Sequence, residues 1–214
     1  MKASLHLIVD GRTSLSSVRA ALASGVDVVQ LRDRSAAAKD LWQLAQDLLP
    51  ALRVAQAGLI INDRLDVAQV VAASGVHLAG RSLAPQLARP LAAGLVLGAS
   101  VHSVKEAEAI APWVDYLTFG SIYPTQSHPK QPEAGLQALA EVVKAVPCPV
   151  LAIGGIGPKN AEDVIRAGAS GVVVISSLLG AQDVGEAARQ LRRALDAAPD
   201  PRHPDPVLVK GGVL

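Results

Sequence analysis

The chain is poor in aromatic side chains, in cysteine and in any surplus of charge. Aromatic residues are 2% of its 214 positions, so the stacking platforms on which single-stranded nucleic acids lie are almost absent. Lysine and arginine number 20 against 19 acidic residues. A balance this even offers no field for a polyanion, and no nucleic-acid partner is expected. The one cysteine, Cys148, cannot make an intramolecular disulfide, which fits a reducing compartment. It opens an apolar run and reads as a small buried hydrophobe. Long apolar stretches are missing as well. None approaches the roughly 20 residues of a membrane span, and the run after Met1 is cut by Asp10, too soon for a signal peptide. No membrane partner and a cytoplasmic location are expected.

Half of the chain is hydrophobic, enough to build a substantial core. Short aliphatic runs recur at about Leu5–Val9, Val26–Leu31, Gly58–Ile61, Val76–Leu78, Leu95–Ala99, Val114–Thr118, Val150–Ile153 and Gly171–Ile175. They are continuous rather than alternating, as in strands covered on both faces. Between them lie helical patterns such as Leu41–Val54, Leu65–Ala73 and Glu133–Val146. Eight βα units in a chain this long predict a single (β/α)8 TIM barrel over residues 1–197. Ala23–Val26, Ala73–Val76 and Ala167–Val172 carry glycines that suit left-handed helix stops before a strand. Past Ala197 the prolines stop any helix, so residues 198–214 are expected as a loose tail. Val207–Val209 would dock on a surface or on a neighbouring subunit, the latter making a homodimer.

A barrel places its chemistry in the loops after the strands. The seventh runs into Gly154-Gly155-Ile156-Gly157 and the eighth into Ile175-Ser176-Ser177. Glycine-rich loops before helices let backbone N–H groups approach an anion, so Gly154, Gly155, Ile175 and Ser176 are expected to hold a phosphate. An aspartate at 155 would then occupy the anion's place. Other strand ends carry Arg32-Asp33-Arg34, Asn62-Asp63-Arg64, Gly75-Val76-His77-Leu78, Ser100-Val101-His102 and Phe119-Gly120-Ser121 followed by Thr125.

In this order, over roughly residues 5–195, these motifs resemble the thiamine phosphate synthase family and its TenI-type thiazole tautomerase relatives. The resemblance implies a small-molecule thiazole phosphate on the last two loops, with Arg32, Arg34, Asn62, Asp63, Ser100 and Thr125 as further substrate contacts. It also implies one of two chemistries. Synthases join a pyrimidine pyrophosphate to the thiazole phosphate with Mg²⁺; tautomerases move a proton on a carboxythiazole phosphate without metal.

Two departures from the synthase pattern favour the tautomerase. Ala79-Gly80-Arg81-Ser82 stands where a synthase has Gly-Gln-Glu-Asp, and Mg²⁺ prefers carboxylate oxygens; His128 stands where it has a lysine. The expectation is therefore a cofactor-free, metal-free isomerase. The alternatives are a Mg²⁺-dependent synthase and a non-catalytic binder of thiazole or thiamine phosphates. The histidine that some tautomerases carry after the strand-six Phe-Gly corresponds to Ser121. Proton transfer thus falls to His128, whose ordinary pKa suits uptake and release near neutrality, with His102 and His77 as further candidates. His6 and His203 invite no role.

Overall fold

The computed structural model describes residues 2–125 and 133–209. Eight strands form a closed barrel, each parallel to its neighbours, with β1 pairing both β2 and β8. They are β1 Ser4–Val9, β2 Val28–Leu31, β3 Gly58–Asn62, β4 Gly75–Leu78, β5 Val96–Val101, β6 Tyr116–Phe119, β7 Val150–Ile153 and β8 Gly171–Val174. The helices are α1 Leu15–Leu22, α2 Ala38–Ala55, α3 Leu65–Val70, α4 Pro85–Ala88, α5 Val104–Ile110, α6 Gly135–Ala145 and α7 Ala161–Arg166, one after each of the first seven strands. After β8 come α8 Ser176–Leu179, α9 Val184–Ala197 and α10 Pro206–Val209. The expected (β/α)8 barrel is the observed fold.

Strand alternation builds two separate cores. Leu5, Leu7, Val29, Leu59, Ile61, Leu97, Leu117 and Val172 belong to the larger cluster between sheet and helices. Ile8, Val28, Ile60, Val96, Tyr116, Leu151 and Val173 form a second cluster that fills the barrel. Both faces of most strands thereby carry buried aliphatic residues, which explains the continuous runs. Each fully buried Leu or Ile contributes roughly 1.5–3 kcal/mol.

Two of the three expected glycine stops occur, at Gly25 (φ +102°) and Gly168 (φ +105°). The third does not. Ala72 makes the left-handed turn after α3 (φ +51°), and Gly75 instead opens β4, where a Cβ would sit 2.9 Å from Val96 Cβ. β6 starts after Asp115, whose carboxylate accepts from Arg89 at 2.8 Å and from the Leu97 N–H at 2.7 Å. Asp115 is a structural clamp between β5 and β6.

The chain end is not loose throughout. Asp205 and Val207 are each 1% exposed, and Val207 packs in the barrel-filling cluster. They lie at the end of the barrel where β1 begins, beside Ser4 and His6. The prolines that forbid a long helix leave room for α10, with Asp205 as its cap: its carboxylate accepts from the Val207 N–H at 2.9 Å.

Candidate active site

The C-terminal ends of the strands surround a cavity of about 750 Å³. Its wall includes Arg32, Arg34, Asn62, His77, Ser100, His102, Thr125, Gly154, Gly155, Ile175 and Ser176. The structure thus brings together residues expected from seven different strand ends. His128 lies outside the described residues.

Loops after β7 and β8 form one end of the cavity. Gly154 and Gly155 have φ of +102° and +64°, and Asn160 ties the loop back on itself. Its side chain accepts from the Gly157 N–H at 2.8 Å and donates to the Gly155 carbonyl at 3.1 Å. A Cβ on Gly155 would lie 2.5 Å from the Pro124 carbonyl oxygen and 2.7 Å from Tyr123 Cβ. A side chain at 155 therefore strikes the β6 loop, a cause of failure besides the expected one. The glycines are needed to let the β6 and β7 loops touch, whatever the cavity holds. In the short helix α8 the first N–H groups have no carbonyl within the helix. Ser177 Oγ, at the same end, and Thr118 Oγ1, on the cavity wall, are buried with no hydrogen-bond partner among the described residues. Buried hydroxyls left this way favour a polar ligand.

The β2 loop carries a second patch. Among the described residues, neither Arg32 nor Arg34 forms an ion pair. Asp33 turns away and accepts from the Ser35, Ala36 and Gly11 N–H groups at 2.9, 3.2 and 3.2 Å. Burial and the neighbouring Arg34 lower the Arg32 pKa against the pull of Asp63, but a guanidinium stays charged at any physiological pH. Two guanidinium groups without an ion pair among the described residues thus line the mouth.

Asp63 sits behind them in a left-handed turn (φ +63°). One carboxylate oxygen accepts from the Ala79 N–H at 3.0 Å and from the Ser82 hydroxyl; the other accepts from Asn62 Nδ2 at 2.6 Å. Asn62 in turn accepts from Gln30 Nε2 at 2.8 Å. Mg²⁺ is usually held by one or two carboxylates together with substrate phosphate oxygens. No cluster of three or more His, Cys, Asp or Glu occurs among the described residues, so they build no all-protein metal cage. Asp63, whose Oδ2 accepts a single hydrogen bond and keeps a lone pair, would be the carboxylate to hold Mg²⁺ together with a bound pyrophosphate.

The histidines separate clearly. His77 is buried, with Nδ1 at 3.1 Å from the Tyr116 hydroxyl and Nε2 at 2.8 Å from Ser100 Oγ. Burial, which the nearby Asp63 only partly offsets, lowers its pKa to about 4, so the ring is neutral at pH 7. His102 is at the rim, its Nδ1 2.8 Å from the Gly120 carbonyl; the Gly120–Ser121 peptide bond is cis. The cap of α5 is Ser103, not His102. His6, expected to have no role, is fully buried against Asp205. Cys148 is only half-buried, its thiol pushed up to about 11 by desolvation.

Sequence reasoning passed over Gln30, Thr118, Ser121 and Ser177 as cavity residues. For Gln30 the signal was present: it is a polar residue inside an apolar run, two positions before Arg32 and so on the same strand face.

The thiamine monophosphate synthase family model matches residues 5–178. A thiamine-phosphate synthase of Pyrococcus furiosus is 37% identical over 198 residues, covering 91% of this chain and 96% of its own. One from Roseiflexus is 43% identical over 188 residues, covering 86% and 80%. The solved thiamine phosphate pyrophosphorylase of Pyrococcus furiosus superposes with a TM-score of 0.83 at 34% identity, covering 91% of this chain and 96% of its own. No described helix is long and apolar enough to cross a membrane. With the eight-stranded barrel and its cavity, these likenesses place the chain in the thiamine monophosphate synthase family of thiamine-biosynthesis enzymes.

Proposed function

We propose that this enzyme is a thiamine phosphate synthase, joining a pyrimidine pyrophosphate to a thiazole phosphate. The observation that carries the reading is the pair Arg32 and Arg34, which face the cavity and form no ion pair among the described residues. The relatives at 36–43% identity, all named synthases, support it.

In this reaction the C–O bond between the pyrimidine methylene and the pyrophosphate breaks, and a C–N bond to the thiazole nitrogen forms. The electron pair departs with the pyrophosphate, and no proton changes place. Arg32 and Arg34 meet the charge growing on the leaving group, an interaction stronger in the transition state than in the ground state. The β7 and β8 loops hold the thiazole phosphate. Ser100, Asn62 and Gln30 line the space between and offer hydrogen bonds to the pyrimidine. A proton shuttle is not needed, which suits a neutral His77 with both nitrogens engaged and a serine at 121.

The tautomerase remains the second reading, because the hydroxyl of Ser82 lies on Asp63 where a synthase has another carboxylate. In that reaction Arg32 would face the substrate carboxylate. The test is incubation of purified protein with each substrate set, with Mg²⁺ and with EDTA. Thiamine phosphate and pyrophosphate formed in equal amounts support the synthase. Conversion of the carboxythiazole phosphate tautomer without thiamine phosphate formation overturns it. Arg32→Ala should lower kcat/KM for the pyrimidine pyrophosphate by about 10- to 150-fold, the loss of one charge-assisted hydrogen bond. Arg32→Lys should recover part of that.

A further inference from the structure

We propose that residues 204–208 form a plug that closes the N-terminal end of the barrel and, through Tyr116, positions the His77–Ser100 pair at the other end. The kinetic arm of its test rests on the synthase reading; the spectroscopic arm does not.

The inner wall of the barrel floor is apolar, with Val28, Ile60, Val96, Leu151 and Val173. β1 alone breaks this pattern, placing Ser4 and His6 there at 0% exposure. A hydroxyl and an imidazole in such a layer are costly unless hydrogen-bonded. Their partner comes from the far end of the chain. Ser4 Oγ donates to Asp205 Oδ2 at 2.7 Å, and His6 Nε2 lies 2.5 Å from the same oxygen. Burial alone would raise the Asp205 carboxyl, but His6, Ser4 and the Val207 N–H together hold it below its ordinary value.

The floor is shaped for this segment. Gly58 begins β3 without a side chain, and a Cβ there would lie 2.5 Å from Val207 Cγ1. The arm that delivers the plug contains Pro199, Pro201, Pro204 and Pro206, so it gives up little conformational freedom on docking. The family match ends at residue 178, so the plug lies outside the matched region.

From the floor a contiguous column rises to the cavity. Val207 shares its cluster with Tyr116, and the His6 ring stands edge-on to Tyr116 with centroids 6.3 Å apart. Gly98 leaves the space that the Tyr116 ring fills. The buried Tyr116 hydroxyl lies 3.1 Å from His77 Nδ1, and His77 Nε2 lies 2.8 Å from Ser100 Oγ. With Tyr116 as the donor, His77 would carry its own proton on Nε2 and donate to Ser100 Oγ. Ser100 is left to aim its proton into the cavity. Removing Val207 atoms or the Asp205 charge leaves a void or an unmatched imidazole beneath Tyr116, and the ring settles away from His77.

The experiment uses the full chain with Val207→Ala, Asp205→Asn and Tyr116→Phe, alone and with Val207→Ala combined with Tyr116→Phe. Long-range ¹H–¹⁵N spectra of the histidine rings report the His77 tautomer, and kinetics are measured well below the unfolding midpoint. The expected result is that both plug variants move the His77 nitrogens in the direction set by Tyr116→Phe. They should also lower kcat/KM by about 2- to 30-fold, the span seen for residues remote from a ligand. The double variant should lose no more than Tyr116→Phe alone. A lowered midpoint with parental His77 resonances would reduce the plug to a stabilising clasp and overturn the positioning role. Unchanged midpoint and resonances would overturn the plug altogether.

Discussion

Replacing Gly154 by alanine tests whether the β7 loop is built around the contact with the β6 loop. At φ +102° a residue with a Cβ is strained by about 1–3 kcal/mol. The added Cβ would also lie 2.6 Å from Ser121 Cβ and 2.7 Å from Ser121 Cα. The second of these is backbone and cannot swing aside, so an overpacking cost of about 1–3 kcal/mol is added. The sum is about 2–6 kcal/mol, which in a chain of this size lowers the midpoint by about 2–4 °C for each kcal/mol. If the loop shifts to relieve the contact, its N–H groups leave the position proposed for the phosphate, and affinity for the thiazole phosphate should fall by about tenfold for every 1.4 kcal/mol lost. Gly157 is the internal control. It lies in the same loop, but a Cβ there meets nothing within 4 Å, so Gly157→Ala should stay within about 0.5 kcal/mol of the parent. Calorimetric melting and titration with thiazole phosphate measure both quantities. A Gly154→Ala protein that melts and binds like the parent would refute the reasoning, and so would equal damage from Gly157→Ala.

His77 should make stability depend on pH. Burial holds it near 4 in the folded chain against 6.5 unfolded, so the unfolded chain takes up the proton first as pH falls. Its contribution of about 3 kcal/mol is complete above pH 6.5 and drains away between 6.5 and 4. Urea unfolding of His77→Gln should show a shallower slope than the parent across that interval; parallel curves would sink the argument. Cys148, with its thiol near 11, should react slowly with a disulfide reagent at pH 7.5 and faster as pH rises. Rapid labelling of the native protein at neutral pH would contradict the burial described for it.

The barrel was legible because covering both faces of a strand leaves an uninterrupted aliphatic run, and eight such runs are hard to mistake. Much of the cavity was legible for a related reason: the topology gathers every strand's C-terminal end in one place, so polar residues at those ends converge. Arg32, Asn62, His77 and Ser100 were found in this way. Gln30, Thr118 and Ser177 were not, since a hydroxyl or amide inside a run marks an inward position only once strand parity is known. Gly75 misled because one residue type serves both left-handed turns and strand starts that tolerate no side chain. Ser82 in place of a carboxylate and His128 in place of a lysine tipped the expectation toward the tautomerase; two altered loops weigh less than likeness along the whole barrel. The pairing of His6 with Asp205, 199 positions apart, leaves no periodic trace at all.

The ring closes only where residues 4–7 meet residues 171–174, and the floor is finished only by residues 205–207. During synthesis the first strand therefore emerges long before its second neighbour exists, presenting an open edge of N–H and C=O groups of the kind that invites pairing with another chain. The imidazole of His6 waits longer still, for a carboxylate 199 positions further along the chain. This enzyme cannot complete its core domain by domain as the ribosome moves. Its nascent chain has to be kept from aggregation until residues 205–207 have been made.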